Sequence, residues 1–311
     1  MEPSRQSPTS PAEQPPIACL GEAIVDLICE RNLAEGETPE SFVPWPGGAL
    51  ANVAVSIARQ GMPAALVGGV GGDDWGRWLS QSLEAEGVAT RWLAALDGAD
   101  TPLALIEFGA DNEPSFQVYG EHIGPTMAAT SGFLQEAIEQ SEAVVIGSNT
   151  MVGETEREIT RRAVDLARTH DRPILFDPNF RPNRWTGSEI AREFCRELTA
   201  AATVVKLNRG EAELVTGFTD PRPAAREIAG MGPELVVVTA GEGAVVTAGA
   251  AEVSFEPEVT RTVSPLGAGD AFMGGLAAGL AGIGWDLAGV GSVLPDAARA
   301  AAAVCGHWGA Q

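Results

Sequence analysis

The chain has 311 residues, of which 45% are hydrophobic and 20% charged, and it carries a formal charge of −22. That length supports one large core, or a core with a small appended subdomain, in an ordinary globular composition. The acidity argues against nucleic acid and anionic membrane surfaces as partners, since both repel a strongly negative chain. Residues 1–16 are rich in Pro, Ser, Gln and Glu and lack an apolar stretch. They read as a disordered tail and not as a signal peptide. No run approaches the roughly 20 apolar residues of a membrane-spanning helix, so a cytoplasmic location is expected. The four cysteines form no C-x-x-C pair and the three histidines lie far apart, so buried reduced thiols are expected in place of a metal cluster.

Ile17 to Ile28 reads as one strand, with Gly21, Glu22 and Asp26 interrupting its apolar run. Charged residues in such a strand belong at its exposed end or in a site. A polar stretch with short β character, Glu30 to Trp45, leads to Pro46-Gly47-Gly48. Ala49 to Gln60 has helix-forming composition and stops at Gly61. Ala64 to Val70 reads as a strand, Trp75 to Glu86 as a helix. Pro102 to Phe108 and Ser115 to Tyr119 are β-like and joined by turn-forming residues. Strand and helix then alternate: Ala143 to Gly147, Glu154 to Thr169, Pro173 to Asp177, Glu189 to Ala200, Thr203 to Leu207 and Glu234 to Thr239. A hairpin around Ala244 to Phe255 precedes a glycine-rich turn at Gly267, which a strand is expected to feed, and an Ala-rich helical C-terminal region. Such alternation specifies an α/β fold with a mostly parallel sheet covered by helices on both faces. The β segments near 30–46 and 99–120 break the rhythm and suit a small second sheet acting as a lid. Residues 17–311 then make one domain.

Two glycine turns carry the chemistry. In Val263 to Gly275, small residues at Gly267-Ala268-Gly269 let phosphate oxygens approach the backbone, and a helix opening near Asp270 aims unpaired N–H groups at the anion. Asp270 can accept the proton of an attacking hydroxyl there, or serve only as a helix N-cap. Pro46 to Ala54 opens a second helix with Asn52 one turn in, where an amide offers both donor and acceptor to a polyhydroxylated ligand.

These segments resemble the two signature motifs of the ribokinase-like (PfkB) carbohydrate kinases, and the likeness runs from residue 17 to about 305. Gly21 to Asp26 resembles that family's first strand, Lys206 to Glu211 its N-x-x-E motif, and Thr239-Ala240-Gly241 its nucleotide-contacting strand end. Phe176 to Pro182 is similar to the D-x-N-x-R segment of the fructokinase and 2-keto-3-deoxygluconate kinase branches. The resemblance implies a three-layer α/β/α sandwich with a β-sheet lid, and ATP-dependent phosphorylation of a sugar hydroxyl. It implies Asp270 as general base, with the backbone of Gly267, Ala268 and Gly269 as anion hole. Asn208 and Glu211 would hold Mg²⁺ largely through water, and Asn179 and Arg181 would sit near the phosphates. Asp26, Gly47, Gly48 and Asn52 would hold the sugar, with Asp73 sharing in that wall, while Thr239 and Gly241 would border the nucleotide.

Departures from the pattern qualify this. Ser264 stands where many members carry an Asp associated with a monovalent-cation site, so K⁺ has weaker support than ATP and Mg²⁺. Leu266 replaces a common Thr, and Ala244 falls where a glycine usually ends the nucleotide turn. Around Gly47 to Ala54 the sequence looks most like fructokinases, then 2-keto-3-deoxygluconate kinases, then ribokinases. A non-catalytic sugar or nucleotide binder on the same fold is the rival from another class. A dinucleotide site at Gly69 to Asp74 is disfavoured, because the third glycine is missing and acids stand where a pyrophosphate would lie. The resemblance also implies a homodimer formed through the lid.

Overall fold

Runs of buried apolar residues, bounded by glycine and proline, divide the chain into short strands separated by amphipathic helices. The computed structural model describes residues 14–119, 123–240, 245–256 and 262–311. The first half contains β1 (Ile17–Leu20), β2 (Ile24–Asn32), β3 (Val43–Gly47), α1 (Ala49–Arg59), β4 (Ala64–Gly71) and α2 (Asp74–Ala85). It continues through β5 (Val88–Ala89), β6 (Leu93–Leu96), β7 (Leu103–Phe108), β8 (Pro114–Tyr119), α3 (Ile123–Ala128) and α4 (Leu134–Glu139). Then come β9 (Ala143–Gly147), α5 (Glu154–Thr169), β10 (Ile174–Asp177), α6 (Ser188–Ala201), β11 (Val204–Asn208), α7 (Arg209–Thr216) and α8 (Pro221–Ala229). The last elements are β12 (Leu235–Thr239), β13 (Val245–Gly249), β14 (Ser254–Phe255), α9 (Ala268–Gly282) and α10 (Leu294–Val304).

The large sheet runs β14–β13–β12–β11–β10–β9–β1–β4–β5, with β6 paired to the second half of β4. It is parallel except where β13 pairs with β12 and β14 with β13. Its central strands are largely apolar because both faces are covered, with Asp177 and Lys206 the charged exceptions in β10 and β11. Ile17 and Cys19 of β1 pack with residues of α1, α9 and α10, whereas Ala18 and Leu20 pack with α3 to α8. A second sheet, β3–β2–β7–β8, lies beside it; Val25 and Leu27 of β2 and Leu103 of β7 pack toward the large core, and β7 alternates buried and half-buried side chains. Its buried face (Ile24, Ile28, Ala104, Ile106 and Phe108) packs on Leu266 and Ala310.

Three expectations from the sequence change here. The single strand Ile17 to Ile28 is two strands in different sheets: the chain leaves the large sheet after Leu20 and enters the small one at Ile24. Gly21-Glu22-Ala23 makes that transfer, which is why charge interrupts the apolar run. The strand expected to feed the turn at Gly267 does not reach it: residues 257–261 lie outside the described residues, residues 262–266 are irregular, and the N–H groups of Val263 and Ser264 bond to the carbonyl of Cys305. Asp73 caps α2, accepting from Gly76 N at 2.8 Å and from the hydroxyl and N–H of Thr101 at 2.6 and 2.8 Å. It ties a helix start to the β6–β7 connection and does not line the cleft.

The C-terminal ends of β1, β9, β10 and β11 face the small sheet, the edge at which parallel α/β sheets bind ligands. Under that edge Lys206 of β11, the only lysine in the chain, meets Asp177 of β10 at 2.9 Å, with both side chains 4% exposed. Removing one partner of a buried pair leaves the other charge uncompensated. Lys206→Met is expected to lose about 3–5 kcal/mol in urea unfolding, and adding Asp177→Asn to it should recover most of the loss. An unchanged midpoint for Lys206→Met would mean that this pair does not brace the strand ends.

Candidate active site

Between the strand ends and the small sheet lies a cleft lined among others by Glu22, Asp26, Asn52, Asn179, Arg181 and Asp270. Asp270 is the third residue of α9 and is 4% exposed. The cap itself is Gly267, so Asp270 is not the plain N-cap that the sequence left open. Its Oδ2 accepts from Asn52 Nδ2 at 2.9 Å and its Oδ1 from Asn179 Nδ2 at 2.5 Å. Burial pushes its carboxyl up to about 6, against the pull of the Asn52 hydrogen bond and of Arg181. A carboxylate at a helix start is favoured by the dipole and by orphan N–H groups, so it stays ionisable despite its burial.

Helix α1 delivers Asn52 one turn after Gly48, and Ser56, one turn on, donates to the carbonyl of Ala271 at 2.8 Å. This locks α1 against α9 and fixes the reach of the Asn52 amide. Asn179 follows β10 in a left-handed backbone (φ 43°), a conformation that Asn tolerates better than most residues. Its N–H bonds to Asp177 Oδ1 at 3.2 Å. Asn179 thus engages the carboxylate of Asp270, a contact that the sequence did not reveal.

Asp26 projects from β2 of the small sheet and is 5% exposed. Burial pushes it up to about 7, with Asp270 and Glu22 adding to the rise and Arg181 opposing it. A Cβ on Gly47 would lie 2.2 Å from Asp26 Oδ2, so glycine is required for the carboxylate to rest on the β3 backbone. Gly48 lines the cleft beside it. The turn Gly267-Ala268-Gly269 opens α9, with Gly267 at φ 77°. A Cβ there would also lie 2.5 Å from the carbonyl oxygen of Ala310. Ala268 N donates to the carbonyl of Pro265 at 3.3 Å, so one of the three amides already has a long internal bond.

Arg181 lies with its guanidinium 4.6 Å from the Phe116 ring of β8, which sets it under the small sheet. Asn208 and Glu211 form a capping box on α7: Asn208 Oδ1 accepts from Glu211 N at 2.9 Å and Glu211 Oε2 from Asn208 N at 2.8 Å. Glu211 Oε1 accepts from Phe180 N at 2.8 Å. Burial and the nearby Asp177 hold the Glu211 carboxyl above its usual range. Thr239 ends β12, its hydroxyl 3.4 Å from the carbonyl of Leu207. Gly241 and Ala244 lie outside the described residues. Ser264 is fully buried and accepts from Leu266 N at 3.1 Å.

The sequence reading gave no role to four further residues. Glu22 and Asn149 line the cleft and meet at 3.3 Å, Asn149 Nδ2 donating to Glu22 Oε1, while Glu22 Oε2 and Asn149 Oδ1 are buried without hydrogen-bond partners among the described residues. Lys206 stands beneath the turn, about 3.0 Å from where a Cβ on Gly269 would be. Desolvation opposes its charge, but Asp177, Glu211 and Asp270 together hold it above its usual value. Gln311 Nε2 donates to Asn52 Oδ1 at 3.0 Å. A charge inside the apolar run at Glu22 was the one signal that could have been followed.

The profile of the pfkB family carbohydrate kinase matches residues 14–311. A fructokinase of Vibrio alginolyticus is 33% identical over 261 residues, 83% of this chain and 81% of that protein. Fructokinase-1 of Oryza sativa subsp. japonica is 30% identical over 263 residues, 84% of this chain and 81% of its own. The crystal structure of a Xylella fastidiosa fructokinase with bound ATP superposes with a TM-score of 0.83 at 26% identity, covering 96% of this chain and 94% of that one.

The raised carboxyls make stability depend on pH with a definite sign. A carboxyl that titrates near 6 or 7 when folded, against 3.8 ordinarily, holds its proton more tightly in the folded state. Its stabilising effect is present below about 4 and is lost as pH rises through 6 and 7. The melting temperature is therefore expected to fall between pH 5 and pH 8, and less steeply in Asp270→Asn. Scanning calorimetry across that range checks this; equal slopes in the two proteins would contradict it.

Proposed function

Because the chain belongs to the pfkB family of carbohydrate kinases and has their ribokinase-like α/β fold, we propose that it transfers the γ-phosphoryl group of ATP to a hydroxyl of fructose, giving fructose 6-phosphate. The observation that carries the reading is Asp270: a buried carboxylate at a glycine turn, oriented by two amides and titrating near 6. That is the range in which a general base works at neutral pH. The likeness to an ATP-bound fructokinase supports ATP as the donor.

In this reading the sugar lies against Asp26, Gly47, Gly48 and Asn52, with one hydroxyl at Asp270. As the hydroxyl oxygen forms its bond to the γ-phosphorus, the bond from phosphorus to the β–γ bridging oxygen breaks and the proton passes to the Asp270 carboxylate. The Gly267 and Gly269 amides and the positive end of α9 face the developing charge, and Ala268 joins them if its long bond to Pro265 yields. Arg181 supplies a guanidinium in a cleft that is otherwise rich in acids. Thr239 and Gly241 border the nucleotide, and Asn179 reaches the phosphates only while holding Asp270. Mg²⁺, when bound, would neutralise phosphate charge. Both Glu211 oxygens already accept backbone N–H groups, so Asn208 and Glu211 fit it through water and not by direct ligation. Ser264 offers a hydroxyl engaged in its own turn, so K⁺ dependence is expected to be weak.

The charge balance favours a neutral sugar over 2-keto-3-deoxygluconate, a sugar acid. Glu22, Asp26 and Asp270 face the cleft against Arg181 and Arg184 among the described residues, and the unpaired oxygens of Glu22 and Asn149 call for donors. Ribose remains the alternative among neutral sugars. The edges of the small sheet, β3 and β8, also suit pairing with a second copy of the chain.

A coupled assay with ATP against fructose, ribose and 2-keto-3-deoxygluconate should give the highest kcat/KM with fructose. A preference for the sugar acid would overturn the substrate assignment. Asp270→Asn is expected to lower kcat by about 10²–10⁴-fold with fructose affinity changed only a few-fold, and full activity in that variant would sink the mechanism. Because the base must be ionised, kcat/KM in the wild type should fall as pH drops through about 6; a flat profile down to pH 5 contradicts Asp270 as base. Light scattering should give about twice the 32.2 kDa chain mass, and a monomer at micromolar concentration would remove the dimer.

A further inference from the structure

Asn52 presents Asp270 with an amide, and an amide can point either its NH₂ or its oxygen at a neighbour. Only the NH₂ suits an ionised carboxylate; the oxygen would repel it. Nothing in the Asp270 contact alone fixes the choice when Asp270 is protonated, because a protonated carboxyl can donate to an amide oxygen equally well. The choice is set from the other side. Gln311 Nε2 donates to Asn52 Oδ1 at 3.0 Å, while Asn52 Nδ2 donates to Asp270 Oδ2 at 2.9 Å. With Gln311 donating to the oxygen of Asn52, the NH₂ of Asn52 is turned toward Asp270.

The segment that carries Gln311 is itself held. Trp308 tilts against Phe108 of the small sheet with ring centroids 5.1 Å apart, and His307 stacks on Trp45 at 6.4 Å. Ala310 is 3% exposed and packs in the small-sheet core, its carbonyl against Gly267. The carboxamide of Gln311 is thus delivered to Asn52 by a segment wedged between the small sheet and the glycine turn.

We propose that Gln311 is a positioning residue for Asp270, acting through Asn52: its carboxamide fixes the amide orientation that keeps Asp270 ionised and aimed at the acceptor hydroxyl. This rests on Asp270 being the base. The other charged groups facing Asp270 are Asp26 from β2, Asp177 and Arg181 from the end of β10 and the loop after it, and Lys206 from β11. Gln311→Met changes none of them and adds no charge, so a change in Asp270 titration in that variant reports the relay, whereas Gln311→Glu adds the repulsion of its own carboxylate.

The test compares wild type, Gln311→Glu and Gln311→Met in kcat/KM for fructose with ATP from pH 5.5 to 9. Titration of the Asp270 carboxyl is followed in parallel by carbon-13 NMR, assigned with Asp270→Asn. Glu at 311 offers only acceptors, so the Asn52 amide turns or disengages. Met keeps the bulk without the bond and without added charge. Gln311→Glu is expected to lose about tenfold or more at pH 6 but less than about threefold at pH 8.5, since a lost hydrogen bond to a charged group is worth about that much. Gln311→Met should move the acid limb in the same direction by a smaller amount, and it carries the test alone if the Glu variant does not fold. Profiles in both variants that keep the wild-type limb, with an unmoved NMR midpoint, overturn the proposal. If the wild type phosphorylates no sugar, the kinase reading fails on its own, and the NMR midpoint still decides whether Gln311 positions Asp270.

Discussion

Burying a carboxylate and still letting it ionise near neutrality requires compensation from every side, and the architecture around Asp270 is arranged to provide it. The start of α9 contributes orphan amides and the positive end of a helix, while Asn52 and Asn179 each hand one N–H to one carboxylate oxygen. Those two amides arrive from opposite sides, one from α1 and one from the end of β10. The packing of α1 on α9, pinned by Ser56 on the Ala271 carbonyl, and the register of β10 in the large sheet therefore determine the chemistry at one atom pair.

The acidity of the chain gives this arrangement its particular form. Arginine and a single lysine must serve all the anionic groups near the cleft. Lys206 is placed where one cation reaches most of them, paired with Asp177 and within electrostatic range of Glu211 and Asp270. Arg181 sits above, against Phe116, moderating Asp26 and Asp270 together. The inner wall keeps an excess of acceptors at Glu22 and Asn149, which fits a ligand made of hydroxyl donors.

The small sheet is more than a cover. It supplies Asp26 to the cleft, and its buried face holds the segment from His307 to Gln311 against the glycine turn. The required absence of a side chain at Gly47 and Gly267 follows from this crowding, since one takes a carboxylate and the other a carbonyl into the space where a Cβ would be. Position of the small sheet and orientation of Asp270 are thus mechanically linked.

The sequence by itself determined the layered α/β architecture, because uninterrupted apolar strands and amphipathic helices follow from one-dimensional periodicity. It also located both glycine turns, since their spacing to Asn52 and Asp270 is local. What it could not determine was which sheet a strand joins: Ile17 to Ile28 reads as continuous apolar β, and only the tertiary structure divides it at Gly21-Glu22-Ala23. It could not show that Asp73 caps a helix, because its partner Thr101 is 28 residues away. Nor could it show Gln311 against Asn52, 259 residues apart, or the unpaired oxygens of Glu22 and Asn149. Hydrogen-bond partnership between distant polar side chains leaves no periodic trace, so it was decided only when the large and small sheets closed on each other.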